Sequence, residues 1–387
     1  MNLLRLLHRL LARETVSTRF IAEIDGLRFV AIATVFIQHL QQQVSILFGP
    51  TAHESWMHRI ETWHFGVELF FLISGFVLGM PFAVAARTST TPPSLRQYYL
   101  RRLTRIEPPY VVAMLGFFVL LVASGRGLFS DLLPHLLAGL GYLHQAFYHE
   151  HNPINPVTWS LEVEVQFYLL APLLFSCLYG GRRGTRRLRM LTLFIADYFL
   201  IKLLAKFEVG TGYTVIGQFP YFLGGLFLAD MFADEWGGSL PAPHLRWDLL
   251  AVPGWLALPL FWEVPILPRS SLAPILWLLV YCSLRSVVVR SVLRWPPIVI
   301  TGGMCYSIYL LHMPILTWTS KAIGTRWLTS GLPSSLAVYG LVCLIPVTVA
   351  SILFFLLVEK PCMRRDWPNR LWSWISSRLP RPETTSP

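Results

Sequence analysis

Apolar runs long enough to cross a lipid bilayer recur along this 387-residue sequence, and they limit what the chain can fold into. A spanning helix needs about 20 predominantly apolar residues. The sequence is 54% hydrophobic and 14% charged, and that share of charge is only about half of what soluble domains carry. Because hydrocarbon offers the backbone no hydrogen-bond partners, apolar runs of this length must form helices. The sequence therefore predicts an all-α, polytopic membrane protein.

About ten spanning helices can be placed, and the loops between them differ in charge. The helices are predicted near residues 22–43, 64–84, 108–124, 159–178, 190–206, 213–233, 247–266, 270–288, 297–319 and 335–357. Arginines are dense in the loops at 85–107 and 179–189 and sparse in the loops on the opposite side. Lys and Arg accumulate on the cytoplasmic side of membrane proteins. Both termini are therefore expected in the cytoplasm, with the helices arranged around a central cavity.

The same asymmetry explains the formal net charge of +11, so no nucleic-acid partner is expected. Residues 1–20 repeat Leu and Arg at helical spacing and are interpreted as an amphipathic cytoplasmic segment. Residues 21–361 form the predicted membrane domain, and residues 362–387 a cytoplasmic, partly disordered tail. Residues 131–147 are apolar, but a span there would turn the arginine-rich loop outward. They are therefore interpreted as a re-entrant or interfacial segment.

The first apolar stretch, Ile21–Leu40, carries ionisable residues that are costly to expose to lipid. Arg28 and His39 are eleven positions apart, so they share one helical face, roughly 16 Å apart along the axis. Ionisable residues inside membranes usually face a protein interior or a wet cavity. A plainer alternative is an ion pair between Asp25 and Arg28 at the membrane boundary, with His39 at the far interface.

Two arginines precede the third predicted helix. Arg102 and Arg105 are one helical turn apart and are expected to point the same way. Arginines at this spacing suit a clamp for phosphate groups, since guanidinium binds phosphate in a bidentate manner. Ordinary anchoring by basic residues on the cytoplasmic side is the alternative.

Further polar residues interrupt apolar helices. Glu162 and Glu164 enter the fourth predicted helix and, two residues apart, point to different sides. Glu164 can orient or polarise a histidine, although acidic residues are also favoured at a helix N-terminus. The remaining candidates, interpreted as substrate-binding residues, are Glu68, Ser307 and His312. The alternatives are an interfacial position for Glu68 and a packing role for His312. Ser74 and Gly75 suit close helix packing. The five cysteines are scattered, so neither a disulfide framework nor a metal site is indicated.

Taken together, these motifs resemble the acyltransferase 3 family of integral membrane O-acyltransferases. The matching stretches run from Ile24 to Pro361 in the order of the family: IDGLRFVAIATVFIQH, GVELFFLISGF, RRLTRIEPPY, WSLEVEVQFYLL, CYSIYLLHMPI and VEKP. The resemblance implies a ten-helix core and acyl transfer from cytoplasmic acyl-CoA, most simply acetyl-CoA, to a hydroxyl acceptor. Surface polysaccharide, peptidoglycan, a lipid-linked sugar and a macrolide are all possible acceptors.

The resemblance also implies residue roles. The Arg-x10-His signature of the family falls on Arg28 and His39, its Arg-x-x-Arg signature on Arg102 and Arg105, and its carboxylate after Trp-Ser-Leu on Glu164. We therefore expect His39 to act as general base, or through an acyl-histidine intermediate. Glu164 and Arg28 would assist it, and Arg102 and Arg105 would bind the phosphates of the donor.

Two other functions compete with this interpretation at the level of sequence. A transporter or flippase could use intramembrane Arg, His and Glu as a proton relay. The absence of a visible internal repeat weakens a transporter built from paired halves. A structural subunit of an envelope assembly is the second competitor, and neither competitor predicts binding of coenzyme A. For the acyltransferase, a multi-pass location in the inner membrane is expected.

Overall fold

The computed structural model describes residues 10–13, 20–48, 65–262, 272–326, 332–364 and 366–376. Within these ranges the chain forms helices, turns and connecting loops, and no strand occurs in them. The predicted all-α fold is therefore confirmed. Most of the predicted N-terminal segment 1–20 and the end of the tail lie outside the described residues. The described part of the tail forms a helix.

Fifteen helices are named here in chain order. They are α1 (Ala22–Phe48), α2 (Phe65–Thr88), α3 (Leu95–Ala123), α4 (Phe129–Leu140), α5 (His144–Tyr148), α6 (Trp159–Leu178), α7 (Arg183–Lys206), α8 (Val215–Asp234), α9 (Asp248–Phe261), α10 (Leu272–Arg285), α11 (Val288–Leu293), α12 (Pro296–Gly303), α13 (Cys305–Ile323), α14 (Leu332–Phe354) and α15 (Trp367–Ser376). A π-helical turn, Phe355–Glu359, continues α14.

The described chain contains fewer helices of spanning length and hydropathy than the ten predicted. Five described helices are long and apolar enough to cross a membrane, and the count rises to six if the bent pair α12–α13 forms one span. Helix α1 has 27 residues, but Glu23, Asp25 and Arg28 crowd its first two turns. Helices α9 and α10 have 14 residues each, short of the roughly 20 that a bilayer needs. The multi-pass membrane architecture is supported, while ten spans and cytoplasmic termini stay predictions.

Helix α3 begins earlier than its sequence suggests. Pro108 was expected to open the helix, but the helix starts at Leu95, where Ser94 caps it. Pro108 cannot donate to the carbonyl of Thr104 four residues back. The indole nitrogen of Trp367 donates to that carbonyl instead, at 2.9 Å. The arginine motif therefore lies within the helix, and not in a loop before it.

Helices α2 and α8 make the most extensive helix contact in the described bundle. Gly75 of α2 and Gly225 of α8 face each other at the crossing, where a Cβ atom on either would collide with the opposing backbone. The expectation of close packing at Gly75 is confirmed, since small residues let membrane helices approach closely. Ser74, its neighbour, is used differently and belongs to the candidate site.

Helix α1 contacts α2, α11, α12, α13 and α14, so it lies in the interior of the bundle. Helices α12 and α13 are bent by 71° at the break between them. Gly302, near the end of α12, packs against the backbone of Asp25, and no side chain fits there. The bend lets α12 cross the start of α1 while α13 runs alongside it.

The segment at 131–147 forms two short helices, α4 and α5. Neither reaches the length of a span, in line with the re-entrant or interfacial interpretation. Its polar contacts lie inside the bundle, because the hydroxyl of Tyr110 on α3 donates to the carbonyl of Gly139 at 2.8 Å. The following loop goes deeper, where Asn155 donates to the carbonyl of Leu310 at 2.8 Å.

The arginines in the first two turns of α7, which were predicted to lie in a loop at 179–189, are neutralised by the acidic end of α8. Arg186 is fully buried and donates to Asp230 at 2.7 Å. Arg187 pairs with Glu235 at 2.6 Å, and Arg183 pairs with the same carboxylate. These arginines therefore join two helices, in addition to any role in setting the orientation of the chain.

Candidate active site

A single continuous helix carries the predicted catalytic pair of an arginine and a histidine. Arg28 and His39 both lie on α1, which runs without a break from Ala22 to Phe48. At 1.5 Å per residue they are separated by roughly 16 Å along the axis. Both side chains are only partly exposed and lie within the bundle. The helix therefore places a cation and an imidazole at two different depths.

His39 contacts a second histidine from the other end of the chain. Its Nδ1 lies 2.9 Å from Nε2 of His312 on α13, and the ring centroids are 5.0 Å apart. His312 is fully buried, and its own Nδ1 lies 2.8 Å from the carbonyl oxygen of Tyr309 and 3.0 Å from that of Ile308. His312 was predicted to bind substrate, and the structure places it directly against the predicted catalytic histidine.

A hydroxyl cluster joins α6 to α13 close to this pair. The hydroxyl groups of Tyr309 and Ser160 are 2.7 Å apart, and Tyr309 also donates to the carbonyl of Val157. Tyr309 is three residues from His312, which is one turn of α13. The N-terminal end of α6 is thereby fixed beside the histidine pair. Sequence reasoning missed Tyr309 as a part of the site.

Glu164 is hydrogen-bonded to two hydroxyl side chains. Ser74 of α2 donates to it, and Tyr168 one turn along α6 also hydrogen-bonds it. The contact to His39 is made by His312, and Glu164 does not pair with His39. The charge of Glu164 instead acts on Arg28. Glu164 therefore occupies the interior between the arginine level and the histidine level, and its role in catalysis stays a prediction.

The neighbouring Glu162 points elsewhere, as a spacing of two residues requires. It accepts from the backbone N–H of Gln145 in α5 at 2.9 Å and is buried. Glu68, at the start of α2, is also buried. The structure thus gives Glu162 and Glu164 different partners.

Guanidinium groups gather at the other end of α1. Arg28 pairs with Asp25, the ion pair that the sequence left open as an alternative, and Arg13 donates to the same carboxylate at 3.1 Å. Arg105 of α3 is close enough for its charge to act on both Arg13 and Arg28. Burial and the charges of Arg105 and Arg28 lower the pKa of Arg13 to about 9. Arg13 therefore remains protonated at neutral pH.

Arg105 and Arg102 have different surroundings, although they were expected to act together. Arg102 donates to the backbone carbonyl of Tyr98 at 3.0 Å, and its guanidinium lies 4.0 Å from the centre of the Tyr98 ring. No hydrogen-bond acceptor within the described part of the chain engages the guanidinium of Arg105. Among the described residues, the donors of Arg105 are thus not engaged by an acceptor, whereas part of Arg102 is already engaged.

Glu359 completes the arginine end of the site, and the sequence analysis did not single it out. It is 1% exposed and accepts from the backbone N–H of Ser307 at 3.0 Å and from the Ser307 hydroxyl. Its charge acts on Arg105. The π-helical turn that carries it is a form of helix often found at functional sites. Ser307, predicted to bind substrate, is thus engaged by a carboxylate. The sequence signal that could have identified Glu359 was its motif, VEKP.

Comparisons with known proteins identify the family of the chain. A family model described as an acyltransferase domain matches residues 21–356. The O-acetyltransferase OatA of Staphylococcus aureus strain NCTC 8325 is 24% identical over 331 residues, which cover 79% of this chain and 52% of OatA. An uncharacterised protein of Haemophilus influenzae is 29% identical over 176 residues, covering 41% of this chain and 68% of that protein. The chain thus spans about half the length of OatA. No solved structure matches the chain.

Proposed function

Since this chain belongs to the acyltransferase 3 family, we propose that it transfers an acyl group from cytoplasmic acyl-CoA to a hydroxyl of a sugar or another acceptor. The similarity to the O-acetyltransferase OatA favours acetyl as the group transferred. The proposal places the protein in the cytoplasmic membrane, with the arginine end of α1 facing the cytoplasm.

One observation supports this function above the others. A single helix joins the arginine cluster to a paired imidazole: Arg28 lies with Arg13 and Arg105 at one level, and His39 contacts His312 at the other. The acyl thioester of coenzyme A lies at the end of a long arm, far from its phosphates. A donor bound through its phosphates at the arginines can therefore present its thioester deeper in the bundle.

The arginine cluster suits the anionic part of the donor. The arginine cluster consists of Arg13, Arg28 and Arg105. Its three guanidinium groups face two nearby carboxylates, Asp25 and Glu359, so the cluster keeps an excess of positive charge. Charge-assisted hydrogen bonds to phosphate are roughly twice as strong as neutral ones. In this proposal Arg105 supplies the free fork of donors, and Arg102 lines the entrance beside Tyr98.

His39 is the proposed general base. Its Nε2 takes the proton of the acceptor hydroxyl as the hydroxyl oxygen attacks the thioester carbonyl carbon. The C–S bond then breaks, the thiolate of coenzyme A takes the proton from the imidazolium, and an ester and free coenzyme A result. A positioned base of this kind supplies about 10²–10⁴-fold in rate. Glu164, hydrogen-bonded to Ser74 and Tyr168, stabilises positive charge along the path.

The test uses the purified full chain in lipid nanodiscs with acetyl-CoA labelled in the acetyl group. We expect label to pass to a hydroxyl acceptor, such as an amino-sugar oligosaccharide, and His39→Gln to abolish this transfer while labelled coenzyme A still binds. Binding of coenzyme A distinguishes the proposal from a transporter or a structural subunit. A protein that neither binds coenzyme A nor consumes acetyl-CoA would contradict it.

A further inference from the structure

The histidine that contacts His39 has a hydrogen-bond arrangement that fixes its tautomer. Nδ1 of His312 lies 2.8 Å from the carbonyl oxygen of Tyr309 and 3.0 Å from that of Ile308. A carbonyl oxygen only accepts hydrogen bonds, so Nδ1 of His312 must carry the hydrogen. His312 is fully buried, and burial disfavours a charged imidazolium. His312 is therefore neutral, and its Nε2 is an acceptor.

The tautomer of His312 in turn determines that of His39. Because Nε2 of His312 accepts, the partner nitrogen 2.9 Å away, Nδ1 of His39, must donate. The hydrogen of neutral His39 then sits on Nδ1, and its Nε2 keeps a free lone pair. No described residue lies within hydrogen-bonding distance of that Nε2. His39 thus donates to His312, His312 donates to helix backbone carbonyls, and the Nε2 of His39 is left available to a substrate.

We propose that His312 is a positioning residue that holds His39 with Nδ1 protonated and Nε2 free, so that Nε2 receives the proton of the acceptor. The inference rests on the proposed role of His39 as general base. His312 is placed here as the partner of the base, in contrast to the substrate-binding role predicted from sequence. When His39 becomes an imidazolium, its Nδ1–H still donates to His312, so the pair survives the proton transfer without rearrangement.

The first test needs no variant. In the full-length protein labelled with ¹⁵N-histidine, the two ring nitrogens of a neutral imidazole have distinct chemical shifts. We expect His39, assigned from the signals lost in His39→Gln, to show a protonated Nδ1 and a bare Nε2 at pH 8. A protonated Nε2 on His39 in the wild-type protein would overturn the inference. This readout does not depend on transfer activity.

The second test compares two replacements of similar size. His312→Leu removes the acceptor for Nδ1–H, and we expect kcat to fall by roughly 10- to 100-fold, a part of what a positioned base supplies. The KM for acetyl-CoA should change by no more than about twofold, since the donor phosphates bind at the distant arginine level. His312→Gln places an amide oxygen near Nδ1 and should recover a part of kcat. A merely structural role of His312 would lower the amount of folded protein without this split.

The outcomes separate the two claims. Wild-type kcat in His312→Leu, together with an inactive His39→Gln, would refute the positioning role and leave the proposed function standing. Transfer at the wild-type rate by His39→Gln would refute the base itself. If both His312 variants fail to fold, the ¹⁵N measurement on the wild-type protein still decides.

Discussion

Two histidine pairs in this molecule share one hydrogen-bond geometry in different surroundings. His39 and His312 meet through Nδ1 and Nε2 at 2.9 Å, and His135 and His144 meet through the same two atoms at 2.8 Å. In both pairs the second histidine also hydrogen-bonds the backbone. His312 bonds the carbonyls of Ile308 and Tyr309, and His144 bonds the backbone of Glu150. The pairing alone is therefore a way to bury two imidazoles and does not identify a catalytic base.

The surroundings of the two pairs differ. The rings of His135 and His144 both lie against Tyr148, with centroid distances of 4.3 and 4.8 Å, inside the short α4–α5 segment. His39 lies instead on the helix that carries Arg28, and a hydroxyl cluster on Tyr309 lies one turn from its partner. A catalytic role for either pair therefore depends on what faces the unpaired ring nitrogen of its first histidine and on which charged residues share the helix of that histidine.

The largest difference between the two pairs is expected when the first histidine of each, His39 or His135, is replaced in separate variants. His39→Ala should lower transfer by about 10²-fold or more, because a general base supplies 10²–10⁴-fold, while binding of acetyl-CoA persists. His135→Ala, the matched control, should keep transfer within about twofold. Steady-state kinetics in nanodiscs measures both. Equal losses in the two variants would show that the pairs are not functionally different.

The second prediction concerns the charges at the far end of α1. Arg105→Gln should raise the KM for acetyl-CoA about tenfold, because each charge-assisted hydrogen bond contributes roughly 1.5–3 kcal/mol. Arg102→Gln should raise it less, since that guanidinium already engages Tyr98. Arg96→Gln, an exposed change on the same helix, is the control and should leave KM unaltered. An unaltered KM in Arg105→Gln, with less inserted protein, would favour a purely topological role.

The third prediction tests whether the buried carboxylate of Glu359 stabilises the fold at the arginine end of the site. Glu359→Ala leaves the buried N–H of Ser307 without its acceptor, which costs about 1–3 kcal/mol of unfolding free energy. Ser307→Ala removes only the hydroxyl and should cost less. Thermal unfolding in detergent ranks the two variants. A Glu359→Ala protein as stable as the wild type would show that the pair contributes nothing to folding.

The smallest effect is expected at the second histidine pair. Burial and the neighbouring His135 lower the pKa of His144 from its usual 6.5. Because the unfolded chain binds the proton more readily, the stability that neutral His144 contributes is complete above about pH 6.5 and is lost as the pH falls. The drop in Tm between pH 7.5 and 5.5 should therefore be smaller in His144→Leu than in the wild type. A larger drop in Tm in His144→Leu than in the wild type would contradict this expectation.

Local spacing predicted the features that one helix contains. The eleven-residue interval between Arg28 and His39 requires only the helical period, and α1 carries both. The Asp25–Arg28 ion pair likewise needs only a separation of three residues. The same reasoning placed the start of α3 wrongly at Pro108. The side chain that replaces the missing hydrogen bond, Trp367, lies 263 residues beyond the acceptor, Thr104.

Contacts between helices were beyond the sequence because they depend on how each helix is rotated and tilted. His312 lies 273 residues from His39, and Glu359 lies 52 residues from Ser307. Arg13 falls in a segment whose spacing indicated only an amphipathic surface helix, yet it reaches Asp25. Each of these residues was visible as a polar group in an apolar run, but its partner was not.

Because one unbroken helix holds both Arg28 and His39, α1 fixes their separation along the axis and the angle between them around it. A single alanine inserted between them would lengthen the interval by only about 1.5 Å but would turn His39 by about 100° relative to Arg28. The imidazole would then leave His312 and face another helix, even though every residue of the site would still be present. The length of this stretch is therefore as much a part of the site as its residues.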